Sequence, residues 1–307
     1  MNRSQRKAVW RLAERLLPPE EIERARNIPF EDTGYGYDPF GLEKETAVLA
    51  FLVARLVYRY WFRVESRGVE HIPREGAALL VPNHSGVIPI DAAMLAVDVL
   101  DKLPEPRLLR TVVDYFASSL PYVNVFFSRA GQIIGHPKNF EDLLRRGNLV
   151  GVFPEGTRGV GKPFRERYRL RRFNVGFIEL SLKHRVPVVP VAIVGAEEQA
   201  PMLANLAPLG RLLGFPYFPV TPQFPLLGPL GFVPLPVKYH IGYDEPMRFF
   251  EEYPPEAAND TQLLRMLADK VQVRVQEMLD LMLEQRSSIF GLGLSRYLVR
   301  QEDRDAA

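Results

Sequence analysis

Residues 186–194 read VPVVPVAIV, apolar at odd and even positions alike. A strand with one wet face alternates apolar and polar side chains. A run that is apolar at both parities is buried on both faces, as in a parallel sheet covered by helices on each side. Working outward, the same character recurs in shorter runs at 77–82 (AALLVP) and 149–153 (LVGVF). It is weaker at 108–113 (LLRTVV), which Arg110 and Thr111 interrupt, and residues 237–243 read as a further strand. Helical stretches fall between these runs, near 91–100, 137–146 and 171–184. Strands alternating with helices predict an α/β fold, with a mostly parallel central sheet and helices on both faces.

The ends of the chain read as helices. In residues 5–17, Val9, Trp10, Ala13, Leu16 and Leu17 recur on one face, while Arg3, Lys7, Arg11 and Arg15 step along the other. That pattern suits either an interfacial helix on anionic lipid or a surface helix packed on its own domain. A loop with Gly34, Gly36, Pro39 and Gly41 leads to a second helix over about 45–62, and residues 261–285 form a long helix that docks on the core. These readings divide the chain into a helical, membrane-facing region at 1–63, an α/β domain at 64–256, and a C-terminal helix and tail at 257–307.

Composition narrows the function. Of 307 residues, 47% are hydrophobic and 25% charged, which is globular usage, and a net charge of +2 gives no sign of a nucleic-acid binder. The absence of cysteine removes a disulfide framework, a thiolate metal site and a cysteine nucleophile together. No metal site is expected. The N-terminus has no apolar core of a secretory signal, and the apolar run 47–54 is closed by Arg55 and Arg59, far short of the ~20 residues a span needs. The expectation is a cytoplasmic protein, at most peripheral on the inner face of a membrane. The 27 prolines are unevenly spread: nine fall within 201–236, a stretch with five phenylalanines or tyrosines and one charge, Arg211. Such a segment holds neither a long helix nor a central strand, yet it is too apolar for an ordinary solvated loop.

In α/β sheets, ligands bind beyond the carboxyl ends of the strands. Two polar clusters lie there. Asn83-His84-Ser85-Gly86 follows the run 77–82, with Pro89 and then Asp91 at a helix start. A histidine accepts a proton near neutral pH, and a carboxylate on its other nitrogen fixes the tautomer; Asp91 is equally placed to cap its helix. Phe153 to Arg158 reads FPEGTR, putting a carboxylate, a glycine, a hydroxyl and a guanidinium in one turn. Gly156, Thr157 and Arg158 make a plausible anion grip. The basic residues that follow, from Lys162 through Arg165, Arg167, Arg169 and Arg171 to Arg172, mostly read as a solvated face.

Together these residues resemble the glycerolipid acyltransferase superfamily, which includes lysophosphatidic acid acyltransferases and a monoacylglycerol/diacylglycerol acyltransferase-like branch. The resemblance runs over about 65–200: the leader VESRGVEHIP at 64–73, Pro82-Asn83-His84, Phe126-Phe127-Ser128-Arg129, Phe153 to Arg158, and VPVVPVAIVGAE at 186–197. One feature departs from it. The superfamily spacing is His-x4-Asp, whereas here Asp91 stands at His-x6-Asp, in a Pro89-Ile90-Asp91 similar to the monoacylglycerol branch. Either the two extra residues bulge at Ser85-Gly86 and return Asp91 to His84, or Asp91 only caps its helix and Glu155 becomes the carboxylate partner.

The resemblance implies acyl transfer from a thioester, acyl-CoA or acyl-carrier protein, to a hydroxyl of a glycerolipid such as lysophosphatidic acid or glycerol 3-phosphate. Mono- or diacylglycerol is the alternative acceptor. His84 would act as general base with Asp91 orienting it. Arg129 and Arg158 would hold acceptor phosphate or donor nucleotide, Gly156 and Thr157 would shape the pocket, and Glu155 would organise the arginines. No cofactor beyond the thioester co-substrate is implied, and a membrane lipid surface is the expected partner. Two rivals remain: a thioesterase using Ser85, and a non-catalytic lipid carrier with 201–236 as its apolar lid.

Overall fold

The computed structural model describes residues 3–88, 90–113, 122–212, 214–215, 217–286 and 288–290. Pro89 and the tail 291–307, both part of the readings above, lie outside them. The strands are β1 (Glu65–Arg67), β2 (Ala78–Pro82), β3 (Leu109–Val113), β4 (Ile133–Ile134), β5 (Leu149–Gly151), β6 (Val188–Val194), β7 (Ala204–Asn205), β8 (Pro219–Val220) and β9 (His240–Tyr243). Seven of them form one sheet in the order β1-β9-β6-β2-β5-β3-β4, and β7 and β8 form a separate ribbon. Every neighbouring pair in the large sheet is parallel except β6–β9.

The opening stretch behaves as its composition demands. In β6, Val188, Ala192 and Val194 enter the core on one face of the sheet, and Val189, Val191 and Ile193 enter the core on the other. All seven residues of the strand are buried. Pro190 sits within it although proline cannot donate to a ladder. Its carbonyl accepts the N–H of Asp244, beyond the last β6–β9 pair at Val191 and Tyr243, so the missing donor falls in a gap before the next pairing at Val188 and Met247.

The principal helices are α1 (Arg3–Leu16), α2 (Pro19–Arg26), α3 (Lys44–Leu56), α4 (Ile90–Lys102), α5 (Val123–Arg129), α6 (Pro137–Arg145), α7 (Thr157–Val160), α8 (Gly176–His184), α9 (Ala207–Leu212), α10 (Phe249–Glu252) and α11 (Thr261–Gln285). Helices α1 to α4 supply the core on one face, with Ala13, Ala25, Leu52 and Met94; α6, α8 and α11 supply the other, with Leu143, Phe177 and Leu279. Thus α1 packs through Ala13 and Leu17 on its own molecule, while Leu12 and Leu16 remain exposed. The helix α2 is unanticipated by apolar periodicity; Pro19 opens it, and Glu20 and Glu21 fall in its first turn, where carboxylates oppose the helix dipole favourably. Glu21 then forms a buried pair with Arg55 at 2.6 Å, tying α2 to α3. No helix among the described residues is long and apolar enough to cross a membrane.

Candidate active site

His84 leaves the carboxyl end of β2 on a backbone held from both sides. Asn83 is buried and pairs with β6 as if it were another strand residue: its Nδ2 donates to the Ile193 carbonyl at 3.0 Å, and its Oδ1 accepts the Ile193 N–H at 2.7 Å. On the other side the His84 N–H donates to Oε1 of Glu155 at 2.9 Å. Gly86 then turns the chain with φ of +84°; a Cβ there would stand 2.9 Å from the Ala196 carbonyl. The loop is therefore wedged against the turn that follows β6.

This turn absorbs the two extra residues of the His-x6-Asp spacing. The His84 Nδ1 lies 2.9 Å from Oδ2 of Asp91, which is fully buried in the first turn of α4. The same oxygen accepts the Ser85 N–H at 3.0 Å, and Oδ1 accepts the Ala92 N–H at 2.9 Å. Asp91, the second residue of α4, thus accepts one N–H of the helix's first turn and holds the imidazole at once. A carboxylate accepting at Nδ1 puts the proton on that nitrogen and leaves the Nε2 lone pair as the basic position. The imidazole, 12% exposed, packs against the Phe153 ring with centroids 4.4 Å apart.

Glu155 is buried too, but its carboxylate meets backbone and not the arginine side chains: Oε2 accepts the Arg171 N–H at 2.6 Å. Burial pushes its carboxyl up, against the opposing charge of Lys162. After it, Gly156 takes φ of +57° with ψ of −149°, a combination that suits glycine, and opens α7. Thr157 is half-buried and Arg158 exposed on that turn. Gly159 fits because it lacks a side chain; a Cβ would come within 2.7 Å of the His84 carbonyl and 2.8 Å of the Glu155 Cβ.

Arg129 stands apart from this group. It ends α5, its guanidinium 3.9 Å from Glu43 and within 3.5 Å of the Tyr37 hydroxyl, and among the described residues no hydrogen bond or ion pair joins it to His84, Asp91 or Glu155. Lys162 departs from the solvated face expected of its neighbours: it is buried, 2.9 Å from Glu197. Arg165, Arg167, Arg169 and Arg172 are exposed. Ser85 is fully buried and its hydroxyl has no hydrogen-bond partner among the described residues.

The structure adds residues that motif reading passed over. The Tyr217 hydroxyl donates to the Val87 carbonyl at 2.7 Å, and Gln199 Nε2 donates to the Ile88 carbonyl at 3.2 Å. Both bind the proline-rich segment and the β6 turn to the histidine loop. Between them a small apolar cleft is lined by Val87, Ile88, Phe224, Phe232 and Pro234. No periodic signal marks Tyr217 or Gln199, since their partners are backbone carbonyls more than 100 residues away.

The family model for Acyltransferase matches residues 63–194, which span β1's approach through β6 and contain His84, Asp91, Glu155 and the turn after it. An uncharacterized protein of Mycobacterium tuberculosis (strain ATCC 25618 / H37Rv) is 42% identical over 258 residues, 83% of this chain and 72% of its own length. The chain belongs to the acyltransferase family. Within it the four motif blocks set it in the glycerolipid acyltransferase superfamily. A bovine relative named "DGAT1/2-independent enzyme synthesizing storage lipids" is 25% identical over 221 residues, 72% of this acyltransferase and 60% of the bovine chain. The crystal structure of the 1-acyl-sn-glycerophosphate (LPA) acyltransferase PlsC from Thermotoga maritima is similar with a TM-score of 0.49 and 18% identity, covering 88% of this chain and 89% of that one.

Proposed function

We propose that this acyltransferase moves a fatty acyl group from a thioester, acyl-CoA or acyl-carrier protein, to a hydroxyl of a glycerolipid, with His84 as general base. The observation that carries the reading is the 2.9 Å contact of His84 Nδ1 with the buried Asp91, at the mouth of a parallel sheet. In the reaction, Nε2 of His84 takes the proton of the acceptor hydroxyl as its oxygen attacks the thioester carbonyl. The tetrahedral adduct collapses, the carbon–sulfur bond breaks, and the leaving thiolate recovers a proton from the imidazolium. A base so oriented typically contributes ~10²–10⁴-fold in rate. Asp91 keeps the tautomer and stabilises the imidazolium. Arg158, exposed on the turn after Glu155, is suited to a phosphate of acceptor or donor, with Gly156 and Thr157 shaping that turn; Arg129 is a second cation for the same role.

Arg158 favours a phosphorylated acceptor such as lysophosphatidic acid or glycerol 3-phosphate. A neutral acceptor, mono- or diacylglycerol, is the second reading, favoured by the bovine storage-lipid relative and by Pro89-Ile90-Asp91. The thioesterase reading is disfavoured because the Ser85 side chain is buried and makes no hydrogen bond to His84. Such an enzyme would work peripherally on the inner face of a membrane, where a lysophospholipid or acylglycerol acceptor resides.

The test is acyl-CoA supplied with lysophosphatidic acid, glycerol 3-phosphate and monoacylglycerol in parallel, products read by mass spectrometry. His84→Ala should lower turnover by ~10²-fold or more while the unfolding transition stays cooperative. Near-normal transfer by that variant would sink the assignment.

A further inference from the structure

Beneath the histidine loop lies a cluster of buried charges that the acyl-transfer step does not use. Lys162 leaves the turn after α7 and is almost entirely enclosed; its Nζ sits 2.9 Å from Oε1 of Glu197 and donates to the Arg169 carbonyl at 3.0 Å. Glu197 also accepts the Tyr168 N–H at 2.8 Å. Glu155, also within electrostatic reach of Lys162, uses both carboxylate oxygens to hold backbone: His84 N–H on one and Arg171 N–H on the other. One ammonium therefore serves two buried carboxylates, and only one of these touches the catalytic loop.

The chemistry of Glu155 makes its charge matter. Ionised, it is an acceptor at both oxygens and fits two converging N–H donors. Protonated, one oxygen carries a donor and must turn away from one of them, so the His84 backbone or the Arg171 backbone is released. A buried carboxylate drifts toward that protonated form unless a positive charge opposes it. Burial does push Glu155 up and Glu197 up to about 7, with Lys162 the leading opposing charge on both. The charged or titratable groups facing Glu155 are Lys162, His84 and Glu197; the guanidinium of Arg171 is turned to Glu166.

We infer that Lys162 is a positioning residue of the acyl-transfer site: its buried ammonium keeps Glu155 in the form that clamps the backbone of His84. The inference rests on His84 acting as the base. Removing the ammonium weakens the clamp as protons become available, so its signature is a displaced pH profile and not a uniform loss.

The experiment measures kcat against pH for the full-length parent and Lys162→Met, with the acceptor the parent acylates. The acid limb of Lys162→Met should move to higher pH by about one unit, roughly a tenfold loss on that limb, with activity recovering on the alkaline side. In a Glu155→Gln background, which has no proton to gain at this position, the same Lys162→Met change should leave the limb where it is. Glu197→Gln, which keeps Lys162 and removes the competing carboxylate, should move the limb the opposite way and supplies the answer should Lys162→Met not fold. An unmoved limb in Lys162→Met or, failing that, in Glu197→Gln overturns the inference, as does a shift that persists with Glu155→Gln, because the lysine would then act on His84 directly. Full turnover by His84→Ala would instead defeat the underlying reading, so the two failures are separate.

Discussion

At the scale of single residues, the site is made by small and polar side chains whose partners are backbone atoms. Asn83 substitutes an amide for a strand residue, Gly86 turns where a Cβ would meet the Ala196 carbonyl, and Gly159 lets α7 approach the His84 carbonyl. These positions predict a cost that burial alone does not reveal. Gly159→Ala introduces a methyl 2.7 Å from the His84 carbonyl and 2.8 Å from the Glu155 Cβ, so the turn carrying Glu155 must retreat from the histidine loop. Since ~1 Å of misplacement costs up to ~10²-fold in rate, Gly159→Ala should lower kcat at least ~10-fold with a much smaller effect on KM. A variant with parent kinetics would mean that the loop is softer than its packing implies. His84, Asp91 and the FPEGTR turn were legible in the sequence because short motifs record chemistry locally. The division of labour between the two carboxylates was not: His-x6-Asp spacing left Asp91 and Glu155 as rivals, and only the fold assigns the imidazole to one and the backbone to the other.

At the scale of elements, the sheet follows from composition and its edges do not. The runs 77–82, 149–153 and 186–194 are buried on both faces and became β2, β5 and β6 at nearly the expected bounds. Strands β1 and β4 are too short, at three and two residues, to leave a periodic signal. The strand expected from 237 begins at His240, because the N–H groups of Val237, Lys238 and Tyr239 donate to the carbonyls of Leu235, Ile289 and Phe62 and not to a neighbouring strand. The β1–β9 pair sets Glu65 beside His240, with Nδ1 at 3.6 Å from the carboxylate. Burial outweighs that neighbour and lowers the imidazole pKa from 6.5 to about 4, with Lys238, Arg286 and Arg67 adding to the effect. The unfolded chain therefore binds this proton first. The stability associated with His240 is complete above pH 6.5 and is lost as pH falls toward 4, by about 3 kcal/mol. Thermal or urea unfolding from pH 7 to 4 should show a shallower decline for His240→Gln than for the parent; equal slopes would show that the edge pair is not a proton-linked element.

At the scale of the whole molecule, the proline-rich segment lies on the same edge of the sheet as the chemistry. It continues from the carboxyl end of β6, next to the loops that follow β2 and β5, and Tyr217 and Gln199 fasten it to the histidine loop. Its core is tied down by Phe224, whose ring packs at a tilt against both Phe218 and Phe232, while Leu212, Leu226 and Leu230 are 81%, 84% and 70% exposed. Trp61, itself exposed, donates to the Pro234 carbonyl and joins this surface to the helical face where Leu12 and Leu16 are bare. Scattered exposed leucines need no explanation, but a patch of this kind with Arg211 as the segment's single charge suits contact with lipid. Replacing Leu226 and Leu230 together by Glu should reduce flotation with phosphatidylglycerol-containing liposomes and slow turnover of membrane-embedded acceptor, while a water-soluble acceptor is acylated at the parent rate. Unchanged flotation would show that this surface does not carry lipid contact.

By itself the sequence determined the sheet-and-helix architecture, the two polar clusters at the carboxyl ends of its strands and the concentration of proline in one apolar segment. These are local properties: burial parity within a strand, residue chemistry within a turn, and the conformational limits of the proline ring. Tertiary structure decided which carboxylate meets the imidazole, that Lys162 is buried against Glu197, and that the apolar segment flanks the histidine loop. Much of this depends on backbone groups such as the His84 N–H and the Val87 carbonyl, and a backbone N–H or carbonyl is the same at every position until the fold selects its partner.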